Sequence, residues 1–210
     1  WTSTEALELS EIPEHLAIIG GGIIGLEMAM VYHALGSKIT IIEMLDQIIP
    51  QADADVIRPL QKRLKKISEG VYTKTKVTGI DQDKKRLVIS LEGKKAPESI
   101  EADAVLTAVG RRVSGKALDL DTAGVEVDER GIVQVNAKMQ TNVPHIYAVG
   151  DITGNPMLAH RASYQGKIAS EVIAGLPSAY SVMSVPSIAY THPEVAWIGM
   201  TEKEAKEQVK

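Results

Sequence analysis

Four glycines, Gly20, Gly21, Gly22 and Gly25, lie between an apolar run at 16–19 and a long segment with apolar residues at helical spacing. An acid, Glu43, follows 23 residues after Gly20. These residue types at this spacing can hold a dinucleotide. Gly20 permits a tight turn out of a strand, Gly22 lets a pyrophosphate reach the backbone, and Gly25 lets a helix lie close to a sheet. The free amides at the helix start, from Gly21 through Ile23 and Ile24, then face the phosphates together with the positive end of the helix dipole. A carboxylate at 43 can accept hydrogen bonds from the adenosine 2′- and 3′-hydroxyls, and it repels a 2′-phosphate. The expected ligand is therefore NAD(H) rather than NADP(H).

Positioning such a turn requires a strand before it, a helix after it and a second strand ending at Glu43. Residues 16–19 read as a strand buried on both faces, since they do not alternate. Ile24, Met28, Val31 and Leu35 mark a helical face from Ile23 onward, Gly36 stops it, and 38–42 form a β-branched second strand. Glu27 falls on the first turn of that helix, where a carboxylate also suits the dipole without any ligand. Further along, 53–55 can cap a helix whose face is Val56, Leu60, Leu64 and Ile67, ended by Gly70. Lys62, Arg63, Lys65 and Lys66 then read as its solvated side rather than a phosphate site. Strand-like segments at 71–80, 86–91 and 104–109, with turns at 81–85 and 92–95, describe a β-meander in place of a helical crossover.

Gly110 and Arg111 follow the strand at 104–109, at the carboxyl edge where ligands gather in an open α/β sheet. Arg111 has two readings, a ligand or domain contact and a surface salt bridge. Short strands are expected at 131–135 and 146–149, the second closed by Gly150 and Asp151. Asp151 is placed to take a ligand hydroxyl. A helix is expected from about 159 to 174, stopped by Gly175, with His160 at its start as either a ligand-side donor or part of the helix start. His192, Pro193 and Glu194 read as a loop, and Thr201 as the N-cap of a charged last helix.

Bulk properties exclude several classes. The net charge of −4 argues against a nucleic-acid partner. With no cysteine among 210 residues, this chain can form neither a disulfide nor a thiolate metal site. No run approaches the roughly 18 apolar residues of a membrane span, so no membrane partner is expected. The first 15 residues are too acidic and polar for a secretory signal, and a cytoplasmic address is expected. The five histidines show no metal spacing, and no metal is expected. Phenylalanine is absent too, which has no physical account here and leaves an engineered sequence open.

As a set, GGGIIGLEMAMVYHALGS from Gly20, VGR at 109–111, TNVPHIYAVGD at 141–151, MLAH at 157–160 and PSIAYTHPEVAWIG at 186–199 resemble the dihydrolipoamide dehydrogenase family, bacterial type. This family belongs to the flavoprotein pyridine-nucleotide-disulfide oxidoreductases. The resemblance implies an α/β, Rossmann-like FAD/NAD(P)-binding fold, a parallel sheet with helices on one face and a β-meander on the other. It implies an NAD-binding domain at 1–118, the C-terminal part of an FAD-binding domain at 119–184, and the start of a dimerisation domain at 185–210. The family's activity would be oxidation of dihydrolipoamide through a redox disulfide and FAD, reducing NAD+ to NADH. NAD and FAD are the implied cofactors.

By the same resemblance Gly20, Gly21, Gly22, Ile23, Ile24 and Gly25 form the pyrophosphate turn and Glu43 is the ribose acid. Glu27 lies near nicotinamide and flavin, and Val77, Gly110 and Arg111 belong to the cofactor-binding set. Asp151 binds the flavin's ribityl or phosphate portion, and Met157, Leu158, Ala159 and His160 run under its pyrimidine edge. No catalytic residue is assigned. The family's redox cysteines, first FAD-binding glycine motif and late His-Glu pair have no counterpart here, and His192 does not match that histidine. The sequence departs from the family pattern at Val113 and Ser114, at Gln165 in place of an acid, and at His192 in place of a Glu. A fragment inactive alone is thus expected. Its implied partners are NAD(H), the remaining parts of its own enzyme, a second copy in a homodimer, and lipoyl-bearing 2-oxo acid dehydrogenase complexes. A stand-alone or engineered NAD(H)-binding module and a related FAD-dependent NADH reductase remain alternatives. As a fragment, the chain would leave Val185, Ile188, Val195 and Trp197 without cover.

Overall fold

The computed structural model describes residues 1–84, 86–181 and 185–208. Lys85 of the expected turn and the expected boundary at 184 lie outside the described residues. The chain forms two compact units, one made of 1–110 with the chain from 188 onward, the other of 111–187.

In the first unit, helix α1 (Ser3–Glu8) leads to strand β1 (His15–Ile19), helix α2 (Ile23–Ala34), strand β2 (Lys38–Ile42) and helix α3 (Ala54–Ile67). Strands β3 (Gly70–Tyr72), β4 (Lys76–Asp83), β5 (Arg86–Glu92), β6 (Ser99–Ala102) and β7 (Ala104–Thr107) follow. A four-stranded sheet runs in the order β3-β2-β1-β7, parallel throughout, and β4, β5 and β6 form an antiparallel meander. Alternation along the parallel strands divides the core. Leu16, Ile18, Ile39, Ile41, Ala104 and Leu106 face the helices, while Ala17, Ile42 and Val105 pack with Ile89, Leu91 and Ala102 of the meander. The expected arrangement, helices on one face and a meander on the other, is the one observed.

Several elements differ from the sequence reading. Helix α2 buries Leu26, Met28, Ala29 and Tyr32, not the face of Ile24, Val31 and Leu35. Apart from Glu27 its N-terminal half is apolar, so spacing alone selects no face; packing against the sheet does. Glu27 is the fifth residue of α2, a turn further in than expected. In α3 the buried residues are Ile57, Leu60 and Leu64, and Val56 is exposed. Gly70 begins β3 rather than ending α3, which closes at Ser68. The single segment expected at 71–80 is two strands in two sheets, because β3 completes the parallel sheet before the chain turns at 73–75. Strand β6 was not foreseen, and β7 stops at Thr107, leaving Val109 70% exposed.

The second unit holds single-turn 3-10 segments at Gly115–Leu118, Leu120–Ala123 and Gly150–Thr153, then helix α4 (Ala159–Ile173). Where strands were expected at 131–135 and 146–149, only the isolated bridges Val127–Val133 and Gln140–Tyr147 form. Met139, Ile168 and Ala169 are its buried cluster. The last part of the chain adds the strand pair β8 (Ser187–Ala189) and β9 (Val195–Trp197) and helix α5 (Glu202–Gln208). Thr201 caps α5 reciprocally: its Oγ1 accepts from the Glu204 amide at 3.2 Å, and Glu204 Oε2 accepts from the Thr201 amide at 2.7 Å. The expectation of uncovered apolar residues fails here. Val195 is 3% exposed, Trp197 packs on the main core, and Val185 and Ile188 are half-buried, while Tyr190, Ile198 and Met200 are the exposed ones.

Candidate functional site

The glycine turn joins β1 to α2. Gly20 has φ +112°, and a Cβ there would lie 2.3 Å from the Ala108 carbonyl oxygen, so neither the conformation nor the space admits a side chain. A Cβ on Gly25 would lie 2.2 Å from the Gly20 oxygen and 3.2 Å from Ile18, which is the close helix–sheet approach expected of it. Gly22 differs: an added Cβ would meet nothing within 4 Å. It is the N-cap of α2 and offers no side-chain hydrogen bond. The first intrahelical bond is donated by the Leu26 amide to the Gly22 carbonyl at 3.1 Å. The amides of Ile23, Ile24 and Gly25 therefore have no helical acceptor, and the space where a Gly22 side chain would sit is open. That is a fitting cradle for an anionic diphosphate.

Glu43 lies just past the end of β2 and is 8% exposed. Its Oε2 accepts from the Gly21 amide at 2.6 Å and its Oε1 from the Leu45 amide at 2.7 Å. The carboxylate is thus tied to the glycine turn and keeps lone-pair capacity on both oxygens. The Gly21 amide, counted from sequence among those free for phosphate, is already engaged. Glu27 Oε1 accepts from the Tyr190 amide at 2.9 Å, a contact across 163 positions that no local pattern announces. Val77 pairs with Leu91 at a register shift in the meander and packs on its core face. Gly110 has φ +132° and open space where a side chain would be.

In the second unit Arg111 and Asp151 form an exposed ion pair at 3.5 Å, so the salt-bridge reading of Arg111 is realised. Asp151 sits in the 3-10 turn Gly150–Thr153. Met157 and Leu158 are half-buried, Ala159 opens α4, and Leu158, its N-cap, makes no side-chain bond. His160 is exposed, with Nε2 2.8 Å from the Pro186 carbonyl oxygen. Sequence reasoning did not place Arg161 and Gln165 among the site residues; they are 8% and 1% exposed and bind the turn bearing Asp151. Their i, i+4 spacing on α4 was the available signal. Among the described residues no group of three or more His, Asp and Glu could hold a metal ion, and no helix is long and apolar enough to cross a membrane.

A parallel sheet with a glycine-lined helix start, open amides and an acid at the end of the next strand defines a Rossmann-type dinucleotide-binding protein. The chain belongs to the pyridine nucleotide-disulphide oxidoreductase family, whose model matches residues 1–166, and the dimerisation domain of that family matches 185–210. It is 54% identical over 207 residues to a dihydrolipoyl dehydrogenase of Vibrio parahaemolyticus and 55% identical over 207 residues to one of Vibrio cholerae. Each match takes in 98% of this chain, which spans 43% of the length of either relative. Among solved structures it resembles the HOCl-induced flavoprotein disulfide reductase RclA of Escherichia coli, with 30% identity and a TM-score of 0.87, over 99% of this chain and 47% of that one.

Proposed function

We propose that this chain supplies the NAD(H)-binding domain and part of the FAD site of a dihydrolipoyl dehydrogenase. The whole protein oxidises dihydrolipoamide to lipoamide while NAD+ becomes NADH and a proton is released, with electrons passing through a disulfide and FAD. The observation that carries this reading is the 54–55% identity to dihydrolipoyl dehydrogenases along 98% of the chain. The open face of Gly22 and the uncapped start of α2 support NAD(H) as ligand of the first unit.

In this reading the amides of Gly22, Ile23, Ile24 and Gly25 hold the diphosphate, and Glu43 uses its remaining lone pairs for the ribose hydroxyls. Glu27 lies near the nicotinamide, Gly110 lines the NAD cleft, and Val77 belongs to the same cofactor-binding set. Asp151 holds the flavin's ribityl or phosphate portion, and Met157, Leu158, Ala159 and His160 border its pyrimidine edge. Bound NAD+ supplies the hydride acceptor and bound FAD the carrier, while the protein orients them. The division into 1–118, 119–184 and 185–210 belongs to the same proposal, as do a cytoplasmic homodimer and docking to lipoyl-bearing 2-oxo acid dehydrogenase complexes. The 29–30% identity to the HOCl-induced reductase favours a second reading, a related FAD-dependent NADH reductase.

The test is NADH formation from dihydrolipoamide and NAD+ by the full-length protein, beside this chain alone. The full-length protein is expected to turn over, and the chain alone is not, since it has no cysteine. NADH formation by the isolated chain, or none by the flavin-loaded full-length protein, defeats the proposal.

A further inference from the structure

One turn apart on α4, the buried Arg161 and Gln165 hold the Gly150 amide, the Thr153 hydroxyl and the Gly154 and Pro156 carbonyls of the segment 150–156. Gln165 Oε1 accepts from the Gly150 amide at 2.8 Å, and its Nε2 lies 3.3 Å from Thr153 Oγ1. Thr153 Oγ1 in turn donates to the Gly150 carbonyl at 2.8 Å. Arg161 donates through one terminal nitrogen to the carbonyls of Gly154 at 2.7 Å and Pro156 at 3.2 Å, and through the other to Thr153 Oγ1 at 3.1 Å. Among the described residues no carboxylate lies within 4 Å of this guanidinium. The nearby acid, Asp151, instead pairs with Arg111 on the exposed side.

A buried cation answered only by carbonyl and hydroxyl dipoles is an expensive arrangement unless those contacts serve a purpose. Here both side chains grip the turn that presents Asp151 and the stretch that enters α4 at Ala159. An acid at 165 would serve the Gly150 amide equally well.

We infer that Arg161 and Gln165 are positioning residues for the flavin. They fix Asp151 and the start of α4 in register with each other. This rests on the proposed FAD site. Neither residue touches the flavin itself; both act through the 150–156 turn.

The experiment uses the full-length protein and reads FAD affinity from the fluorescence of released flavin, with NADH binding by the first unit as a control for folding. Gln165→Leu, which strands the Gly150 amide, and Arg161→Met each lower FAD affinity at least tenfold and leave NADH affinity within twofold. Gln165→Glu restores an acceptor for Gly150 and recovers most of the loss. Because Gln165 acts through Asp151, the double variant Asp151→Asn, Gln165→Leu loses no more affinity than Asp151→Asn alone; a merely structural role makes the two losses multiply. A parent protein that retains FAD, with unchanged affinity in both single variants or with multiplying losses in the double variant, overturns this inference alone. A parent that holds no flavin overturns the functional reading and this inference with it.

Discussion

The Glu43 carboxylate and the Gly21 amide, 22 positions apart in the chain, meet at 2.6 Å inside the glycine turn between β1 and α2. The acid expected to grip a ribose therefore also braces the glycine turn before any ligand arrives. The proposed ribose recognition and the turn geometry share one side chain, so a change at 43 is expected to act on both. Glu43→Ala leaves the buried Gly21 amide without an acceptor, at a cost of about 1–3 kcal/mol. Thermal melting of the ligand-free chain is expected to show that loss, and NADH titration a fall in affinity beside it. Unchanged melting with weakened NADH binding would mean that the brace does not form.

Gly22 and Gly25 should separate binding from stability. Gly22 has an ordinary φ of −77° and empty space beside it. Gly22→Ala is expected to change stability by less than about 1 kcal/mol while NADH affinity drops at least tenfold, because the new methyl occupies the phosphate's approach. Gly25→Ala drives a Cβ to 2.2 Å from the Gly20 oxygen. It is expected to cost about 1–3 kcal/mol through forced displacement of α2 from the sheet. Paired denaturant curves and calorimetric titrations check both.

Tyr32 is wholly buried on α2 and donates its hydroxyl to the Ala6 carbonyl at 2.7 Å, which fastens α1 to the core. Tyr32→Phe keeps the ring and strands that carbonyl, for an expected loss of about 1–3 kcal/mol. NADH affinity should stay within twofold, since the contact is remote from the turn. Hydrogen exchange should report faster opening of α1 specifically.

His15, at the start of β1, has its pKa held below the ordinary 6.5, chiefly by burial and further by Arg86 and Lys38, against the opposing pull of Glu69 and Asp103. The unfolded chain therefore binds a proton at His15 more readily than the folded one. Stability from this group is complete above about pH 6.5 and drains away as pH falls from there toward the lowered folded value. Urea midpoints between pH 8 and 5 are expected to fall less steeply in His15→Gln than in the parent. Parallel slopes would remove His15 as the cause.

The exposed Arg111–Asp151 pair should matter little to stability, within about 1 kcal/mol for Arg111→Gln. Its removal frees the Asp151 carboxylate, and FAD retention in the full-length protein is expected to change in salt dependence rather than disappear. Flavin release followed at low and high ionic strength distinguishes those outcomes.

The glycine turn, the strand before it, the start of α2 and the capping of α5 by Thr201 were legible in the sequence because each is a local requirement. Steric freedom at Gly20, close approach at Gly25 and a reciprocal cap over four residues are settled within one turn of chain. The two-faced sheet was legible from its buried runs. Which face of α2 goes inward was not, since Ile23 through Met30 are apolar nearly all round and the sheet makes the choice. Nor was the division of 71–80 between two sheets, because β3 and β4 look alike until each finds a different neighbour. The partners of Glu43, Glu27 and Gln165 are main-chain amides 22, 163 and 15 positions away. A backbone N–H carries no mark in the sequence of the acceptor it will meet, so only the packing of distant segments decides those bonds.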